Sequence, residues 1–334
     1  MKPFNSGGQA AFHVLLVVAL LALGLVGCRK EGGTAGVGGT KKEGKMRVGF
    51  SQMENNGPWR IAETKSMQDE AAKRADRFEL VYTDAQGQTA KQVSDVEDLI
   101  AQRVDAIFLA PREAKGFELA LQAAKEANIP VFLIDREIEG NAGEDYVTFI
   151  GSNFVEEGKR AGEWLVKETN GKAGIIELLG TPNSSVARDR HDGFADAIKG
   201  SPDIKILASQ PANFTRAEGQ KVMENLIQAH GNNITAVYTH NDEMALGAIQ
   251  ALKAAGRQPG KDVLVLSVDG QKSALEAIIR GEMNATVECN PRFGPIAFDT
   301  LERYIRGEKI EPKIIVPDKF FDSSNAAQFV SEAY

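Results

Sequence analysis

The chain has 334 residues, enough for two domains at roughly 150 residues each. Its 43% hydrophobic and 25% charged residues are typical of a globular protein, and its net charge of −7 lacks the basic excess of a nucleic-acid-binding protein. With only two cysteines, Cys28 and Cys289, and four histidines, we expect neither a disulfide framework nor a metal site.

An export signal and a lipid attachment site are predicted at the N-terminus. Val14–Val26 is apolar apart from one glycine and is shorter than the ~20 residues that span a bilayer, which is typical of a signal peptide. The stretch leads into Leu25-Val26-Gly27-Cys28, which resembles the bacterial lipobox. We therefore expect residues 1–27 to be removed, Cys28 to carry diacylglycerol, and residues 28–45 to form a flexible tether. The alternatives are a plain signal peptide or an unprocessed membrane anchor, with an accidental cysteine in either case.

The rest of the chain alternates between short apolar runs, which predict buried strands, and segments with helical spacing. The predicted strands are Met46–Ser51, Phe78–Tyr82, Ala106–Ala110, Ile129–Ile134, Ala173–Leu179, Ile204–Ala208, Ala236–Tyr238, Val263–Val268, Ala285–Glu288 and Lys313–Val316. The predicted helices are Trp59–Ala75, Thr89–Gln102, Gly116–Ala127, Val155–Thr169, Ala187–Lys199, Arg216–Ala229, Glu243–Ala255, Ser273–Ile279 and Phe293–Ile305. This alternation predicts an α/β protein with parallel sheets, and because the pattern restarts after Gly151, it predicts two doubly wound lobes.

The residues that follow the predicted strands are mostly polar, charged or aromatic. Because parallel sheets bind ligands at the carboxyl ends of their strands, we expect function at these positions. The donors are Arg60, Arg136 and Arg190, the acceptors Asp135 and Asp269, the amide Asn241, and the flat apolar faces Trp59 and Phe214. Singly, many such residues have a structural explanation; Asp242, for example, has the position of a helix cap.

Together, these side chains suit a neutral polyhydroxylated ring such as a sugar. Each hydroxyl both donates and accepts, so carboxylates and guanidinium groups can hold adjacent hydroxyls while aromatic rings pack on the apolar C–H faces. No arrangement of nucleophile, base and orienting group is present, so we expect a binding protein rather than an enzyme. The phosphate-binding G-x-x-x-x-G-K-[ST] loop, a G-x-G-x-x-G motif after the first strand and G-x-S-x-G are absent, and we expect no cofactor.

Several motifs carry a family resemblance. They are IDRE (Ile134–Glu137), ARDRHDGF (Ala187–Phe194), NFTRAEG (Asn213–Gly219), HNDEMALGAIQAL (His240–Leu252), SVDG (Ser267–Gly270) and ATVECNP (Ala285–Pro291). In this order they resemble the type I periplasmic sugar-binding proteins of the ribose/galactose type, which are substrate-binding subunits of ABC importers. The resemblance covers residues 46–334. GFSQ (Gly49–Gln52) and AETK (Ala62–Lys65) are similar to the galactofuranose-binding branch.

The resemblance implies two lobes joined by three chain crossings, the periplasmic binding protein-like I fold. One lobe would comprise residues 46–152 and 291–316, the other residues 153–290 and 317–334. The implied sugar-binding residues are Asn56, Trp59, Arg60, Asp135, Arg136, Arg190, Phe214, Asn241 and Asp269. Asn56 departs from the branch, where an acidic residue is usual, and ribose binders have a second aromatic residue at the position of Arg60. These departures bear on which sugar fits.

The implied function is that of an exported, lipid-anchored monomer in the periplasm or at the cell surface. It would bind a galactofuranose-like sugar, or another pentose or hexose, and deliver it to an ABC permease and its ATPase. The same lobes would also suit a binding protein that serves a chemoreceptor or sensor kinase, and sequence leaves this alternative open. A LacI-like repressor would need an N-terminal helix-turn-helix motif, where this chain has a signal segment.

Overall fold

The computed structural model describes residues 44–334. The predicted signal peptide, the predicted lipid attachment at Cys28 and all but the end of the predicted tether lie outside the described residues. Glu43–Tyr334 forms one compact unit. None of the helices between residues 44 and 334 combines the length and the apolar character that crossing a bilayer requires.

Strands and helices alternate along most of the described chain. The strands are β1 Met46–Gln52, β2 Phe78–Asp84, β3 Ala106–Ala110, β4 Val131–Ile134, β5 Thr148–Gly151, β6 Lys172–Leu179, β7 Asp203–Pro211, β8 Ala236–Thr239, β9 Leu264–Asp269, β10 Ala285–Glu288, β11 Lys313–Ile315 and β12 Phe320–Asp322. The helices are α1 Gly57–Lys73, α2 Thr89–Ala101, α3 Glu118–Glu126, α4 Phe154–Glu168, α5 Ser185–Ile198, α6 Arg216–His230, α7 Asp242–Ala254, α8 Lys272–Ile279, α9 Gly294–Ile305 and α10 Ala326–Phe329. A short 3-10 turn, Gly231–Asn233, precedes β8.

The strands form two six-stranded sheets, which define two lobes. The N-terminal lobe has the strand order β11-β5-β4-β3-β1-β2 and is entirely parallel. The C-terminal lobe has the order β12-β10-β9-β8-β6-β7 and is parallel except where β12 pairs with β10. The chain passes between the sheets after β5, after β10 and after β11. The residues at which each lobe begins and ends stay a prediction.

The α/β fold and every predicted strand and helix are confirmed, with ends shifted by a few residues. Strands β5 and β12 and helix α10, each three or four residues long, were not predicted. β5 also begins with the polar Thr148, whose hydroxyl donates to the carbonyl of Glu311 at 2.7 Å. The sheets are parallel as predicted except at β12, an antiparallel edge strand that follows β11 after a short connection.

Aromatic side chains fill the core of both lobes. In the N-terminal lobe, Phe108 contacts Phe132 and Phe298 with ring centroids 5.7 Å and 5.2 Å apart, which joins β3 and β4 to α9. In the C-terminal lobe, Phe194 of α5 stacks on Tyr238 of β8 at 4.1 Å. Helix α5 begins and strand β8 ends at the cleft side of the sheet. This packing therefore fixes the position of two elements that carry polar residues there.

Candidate functional site

A cavity of about 280 Å³ lies at the carboxyl ends of strands from both sheets. All nine predicted sugar-binding residues line it: Asn56, Trp59, Arg60, Asp135, Arg136, Arg190, Phe214, Asn241 and Asp269. The structure therefore brings the whole predicted set together. Their role as ligand contacts stays a prediction.

On the N-terminal side, a buried guanidinium links two carboxylates. Arg60 Nη2 donates to Asp135 Oδ2 at 2.6 Å, and Arg60 Nη1 donates to Glu63 Oε2 at 2.7 Å. Gln52 Nε2 donates to the same Glu63 oxygen at 2.8 Å. The Arg60 guanidinium also lies 4.5 Å from the ring centre of Trp59, whose Nε1 donates to the carbonyl of Cys289 in the other lobe at 2.8 Å. This network holds Asp135 and Trp59 rigidly at the cavity wall.

Arg136 is incompletely neutralised. Its Nη1 donates to the carbonyl of Arg112 at 2.7 Å, but its buried Nε has no hydrogen-bond partner among residues 44–334. Asp135 Oδ2 lies 3.6 Å from that Nε, beyond good hydrogen-bond distance. Burial, followed by repulsion from Arg60, lowers the pKa of Arg136 to about 9. An acceptor placed in the cavity would therefore stabilise this guanidinium.

On the C-terminal side, the cation Arg190 is well paired, whereas the carboxylate of Asp269 is not. Arg190 Nε donates to Glu157 Oε2 at 2.7 Å, and Nη1 donates to the carbonyl of His240. Its Nη2 lies 3.8 Å from Asp269 Oδ1, too far for a hydrogen bond. Although burial opposes the charge of Arg190, the Glu157 carboxylate raises its pKa above the ordinary value. Burial raises the pKa of Asp269, and Arg190 only partly offsets this.

Glycine contacts hold Arg190 in place. Helices α4 and α5 pack so closely that a Cβ at Gly158 would lie 2.1 Å from the carbonyl oxygen of Arg190. A Cβ at Gly193 would lie 2.0 Å from the carbonyl oxygen of Val155. Because only glycine permits this approach, the sequence of α4 sets the position of the guanidinium on α5.

Asn241 and Phe214 have structural roles beside the predicted one. Asn241 Oδ1 caps α7 by accepting from the backbone N–H of Met244 at 3.0 Å, and Nδ2 donates to the carbonyl of Phe214 at 3.1 Å. Phe214 has φ 61°, a left-handed conformation that is uncommon for a bulky residue. Its ring lies 5.3 Å below the guanidinium of Arg136 from the opposite lobe. Asn241 therefore has one N–H left for a ligand, and Phe214 closes the cavity beside Arg136.

Other residues line the cavity that the sequence did not single out for it. They are Glu54, Gly57, Pro58, Val186, Asn213, Thr215, Arg216, Glu243 and Cys289. All of them except Val186 and Cys289 lie within two residues of a predicted one, and that proximity was the available signal. The buried carboxylates Glu63 and Glu157, which hold the two arginines, also went unpredicted. Arg188 lies in a separate cavity of about 640 Å³ beside the β6–α5 loop.

Comparison with known proteins agrees with this architecture. The family described as periplasmic binding protein domain matches residues 48–309. The galactofuranose-binding protein YtfQ of Escherichia coli is 47% identical over 272 residues, which cover 80% of this chain and 85% of that protein. Two solved structures show the same fold together with bound furanose sugars.

The first is the periplasmic binding protein component of the arabinose ABC transporter of Shewanella sp. ANA-3, bound to α- and β-L-arabinofuranose. It is 41% identical with a TM-score of 0.83, covering 86% of this chain and 95% of that chain. The second is a Mycobacterium smegmatis structure in complex with β-D-fucofuranose, 37% identical with a TM-score of 0.82, covering 86% and 94%. With two parallel-dominated sheets, a cavity at their strand ends and these relatives, the chain belongs to the periplasmic binding protein family and has its type I fold.

Proposed function

We propose that the chain is the substrate-binding lipoprotein of an ABC sugar importer and that it holds a galactofuranose-like sugar between its lobes. The observation that carries this proposal is the incomplete pairing on both cavity walls. Within residues 44–334, the Arg136 guanidinium donates a hydrogen bond only through Nη1, and no donor comes within hydrogen-bond distance of the Asp269 carboxylate. A sugar hydroxyl both donates and accepts, so the hydroxyls of one ring can accept from Arg136 and donate to Asp269.

The remaining groups in the cavity suit the same ligand. Arg190 Nη2 and Asp135 Oδ1 make no hydrogen bond within the described part of the chain, so each can contact a hydroxyl. Trp59 and Phe214 supply apolar faces for the C–H groups of the ring. The furanose form is favoured by the relatives, which bind galactofuranose, arabinofuranose and fucofuranose.

The two lobes touch beside the cavity. The backbone N–H of Ala114 donates to the carbonyl of Asn183 at 3.1 Å, and the N–H of Glu137 donates to Ser185 Oγ at 3.0 Å. Both bonds join the N-terminal lobe to the start of α5 or the loop before it. A ligand that contacts both walls stabilises this closed arrangement over an open one by its differential affinity, and a permease would recognise the closed shape.

Calorimetric titration of the purified protein with D-galactose, L-arabinose, D-fucose and D-ribose tests the proposal. We expect micromolar binding of the first three, equivalent to about −8 kcal/mol, and weaker binding of ribose. NMR of galactose labelled at the anomeric carbon should show selective broadening of the furanose signals. Absence of binding by every sugar, or broadening of the pyranose signals alone, would contradict the proposal.

Import and anchoring need separate experiments. Deleting the gene should abolish uptake of the bound sugar, and restoring the wild-type chain should recover it. Intact uptake with lost chemotaxis or signalling would favour the sensor alternative.

For the anchor, radioactive palmitate should label the wild type and not Cys28→Ser. Persisting label in that variant would show that the predicted lipobox is not the attachment site.

A further inference from the structure

The cavity has a second set of polar residues at its mouth. The groups at its floor are buried, with Arg190 only 3% exposed, for example. Glu54 and Asn56 of the N-terminal lobe and Arg216 and Glu243 of the C-terminal lobe line the same cavity but are half-buried or exposed. We call these four residues the outer rim.

The C-terminal half of the outer rim is a rigid ion pair. Arg216 Nε donates to Glu243 Oε2 at 3.0 Å, and Arg216 Nη2 donates to Glu243 Oε1 at 2.7 Å. Gln271 Nε2 also donates to Glu243 Oε1, at 2.8 Å. Arg216 Nη1 makes no hydrogen bond to any residue between 44 and 334, and the side chain is 41% exposed. The pair therefore presents a fixed, uncommitted donor at the mouth of the cavity.

The N-terminal half of the outer rim presents an acceptor. Asn56 Nδ2 donates to Glu54 Oε2 at 3.2 Å, and within the described chain Glu54 forms no ion pair. Gly87 leaves room for this carboxylate, because a Cβ there would lie 3.1 Å from Glu54 Oε2. Glu54 is also one of the anions that act on Arg136. The amide of Asn56 therefore orients the carboxylate of Glu54 at the mouth of the cavity.

We infer that the outer rim is a subsite for the exocyclic arm of the sugar, with Glu54 and Arg216 binding its hydroxyls, so that the site prefers a hexofuranose with a two-hydroxyl arm. This inference rests on the proposed function. The floor residues hold the ring, whose hydroxyls are attached to ring carbons. The arm of a hexofuranose extends beyond the ring and carries adjacent hydroxyls, which an acceptor and a donor on opposite walls can bind together.

A series of three sugars isolates the arm. In their furanose forms D-galactose, D-fucose and L-arabinose share the configuration of the ring and differ only outside it. Their arms are CHOH–CH2OH, CHOH–CH3 and CH2OH respectively. A pentofuranose therefore leaves the outer rim facing water, which costs little because these residues are already solvated. The expected preference comes from bonds gained with the longer arm rather than from a penalty against the shorter one.

The experiment measures the dissociation constants of the three sugars for the wild type, Glu54→Gln and Arg216→Met. Glu79→Gln is the matched control, since Glu79 is an exposed carboxylate on β2 outside the cavity. For each sugar, the ratio of variant to wild type is compared. This ratio cancels the fraction of sugar that is in the furanose form, which differs among the three sugars.

We expect Glu54→Gln and Arg216→Met each to weaken D-galactose binding about tenfold, D-fucose binding less, and L-arabinose binding less than twofold. Glu79→Gln should change none of them. Equal losses for all three sugars, or no loss for any, would overturn the inference, and thermal unfolding of each variant identifies a loss caused by misfolding. If the wild type binds none of the sugars, the proposed function itself fails.

Discussion

The two walls of the cavity use the same residue types with opposite electrostatic balance. In the N-terminal wall, Arg60 bridges Asp135 and Glu63, whereas the second cation, Arg136, donates only to the carbonyl of Arg112 within the described part of the chain. In the C-terminal wall, the buried cation Arg190 is held by Glu157, and no group between residues 44 and 334 donates a hydrogen bond to the carboxylate of Asp269. Each wall alone is electrostatically incomplete. A neutral ligand with several hydroxyls, which both donate and accept, can therefore satisfy both walls at once without carrying charge itself.

The largest effect should come from removing the carboxylate of the N-terminal wall. Asp135→Ala leaves two buried arginines facing the cavity without this anion, and truncating one member of a buried charge pair costs about 2–5 kcal/mol. We expect sugar affinity to fall at least about 30-fold, measured by calorimetric titration. Asp135→Asn keeps the shape of the side chain and should also bind weakly. Unchanged titration of either variant, with normal thermal unfolding, would show that the wall does not hold the ligand.

The position of Arg190 can be tested without changing any polar residue. Gly158→Ala places a methyl group 2.1 Å from the carbonyl oxygen of Arg190, so α4 and α5 must separate. We expect a loss of about 1–3 kcal/mol in the free energy of unfolding, measured in urea, together with weaker sugar binding. The matched control is Gly200→Ala, because a Cβ there would meet nothing within 4 Å. Equal stability of the two variants would contradict the close packing.

A pH-dependent prediction concerns Asp318, which lies where the chain joins the two lobes. Its Oδ1 accepts from the backbone N–H of Asn290 at 3.1 Å. Burial, followed by repulsion from Glu157 and Glu288, raises the pKa of Asp318 to about 8. In the unfolded chain the pKa is about 3.9, so folding takes up a proton between these values. The contribution of Asp318 to stability therefore falls as the pH rises from about 4 to about 8.

Asp318→Asn keeps the acceptor for Asn290 and removes the titration. The stability of this variant relative to the wild type should rise by about 1–3 kcal/mol between pH 5 and pH 8, measured by urea unfolding at each pH. This change in the free energy of unfolding is smaller than the full pKa shift would give, because Asp318 is partly exposed. A difference between the two proteins that does not vary with pH would show that the carboxylate is already ionised in the fold.

The sequence predicted the residues that line the cavity better than the buried residues that hold them in place. Strand ends such as Asp135-Arg136 were identifiable because the apolar run before them predicts a buried strand. Glu157 was not predicted, although the helical spacing of Phe154, Ala161 and Leu165 places it, and not Glu156, on the buried face of α4. In the structure Glu156 is 48% exposed at its side chain and Glu157 is 2% exposed. That Glu157 pairs with Arg190 depends on how α4 packs against α5, which the pattern within one helix does not encode.

The smallest effect is expected at the contact between the lobes. Ser185 Oγ accepts from the N–H of Glu137 only when the lobes are together, and water replaces it when they part. Ser185→Ala therefore leaves the open form unchanged and weakens the closed form by about 0.5–1.5 kcal/mol. We expect sugar affinity to fall roughly threefold to tenfold through faster dissociation, measured by stopped-flow fluorescence. If the variant loses thermal stability while its dissociation rate is unchanged, Ser185 supports helix α5 and does not contribute to closure.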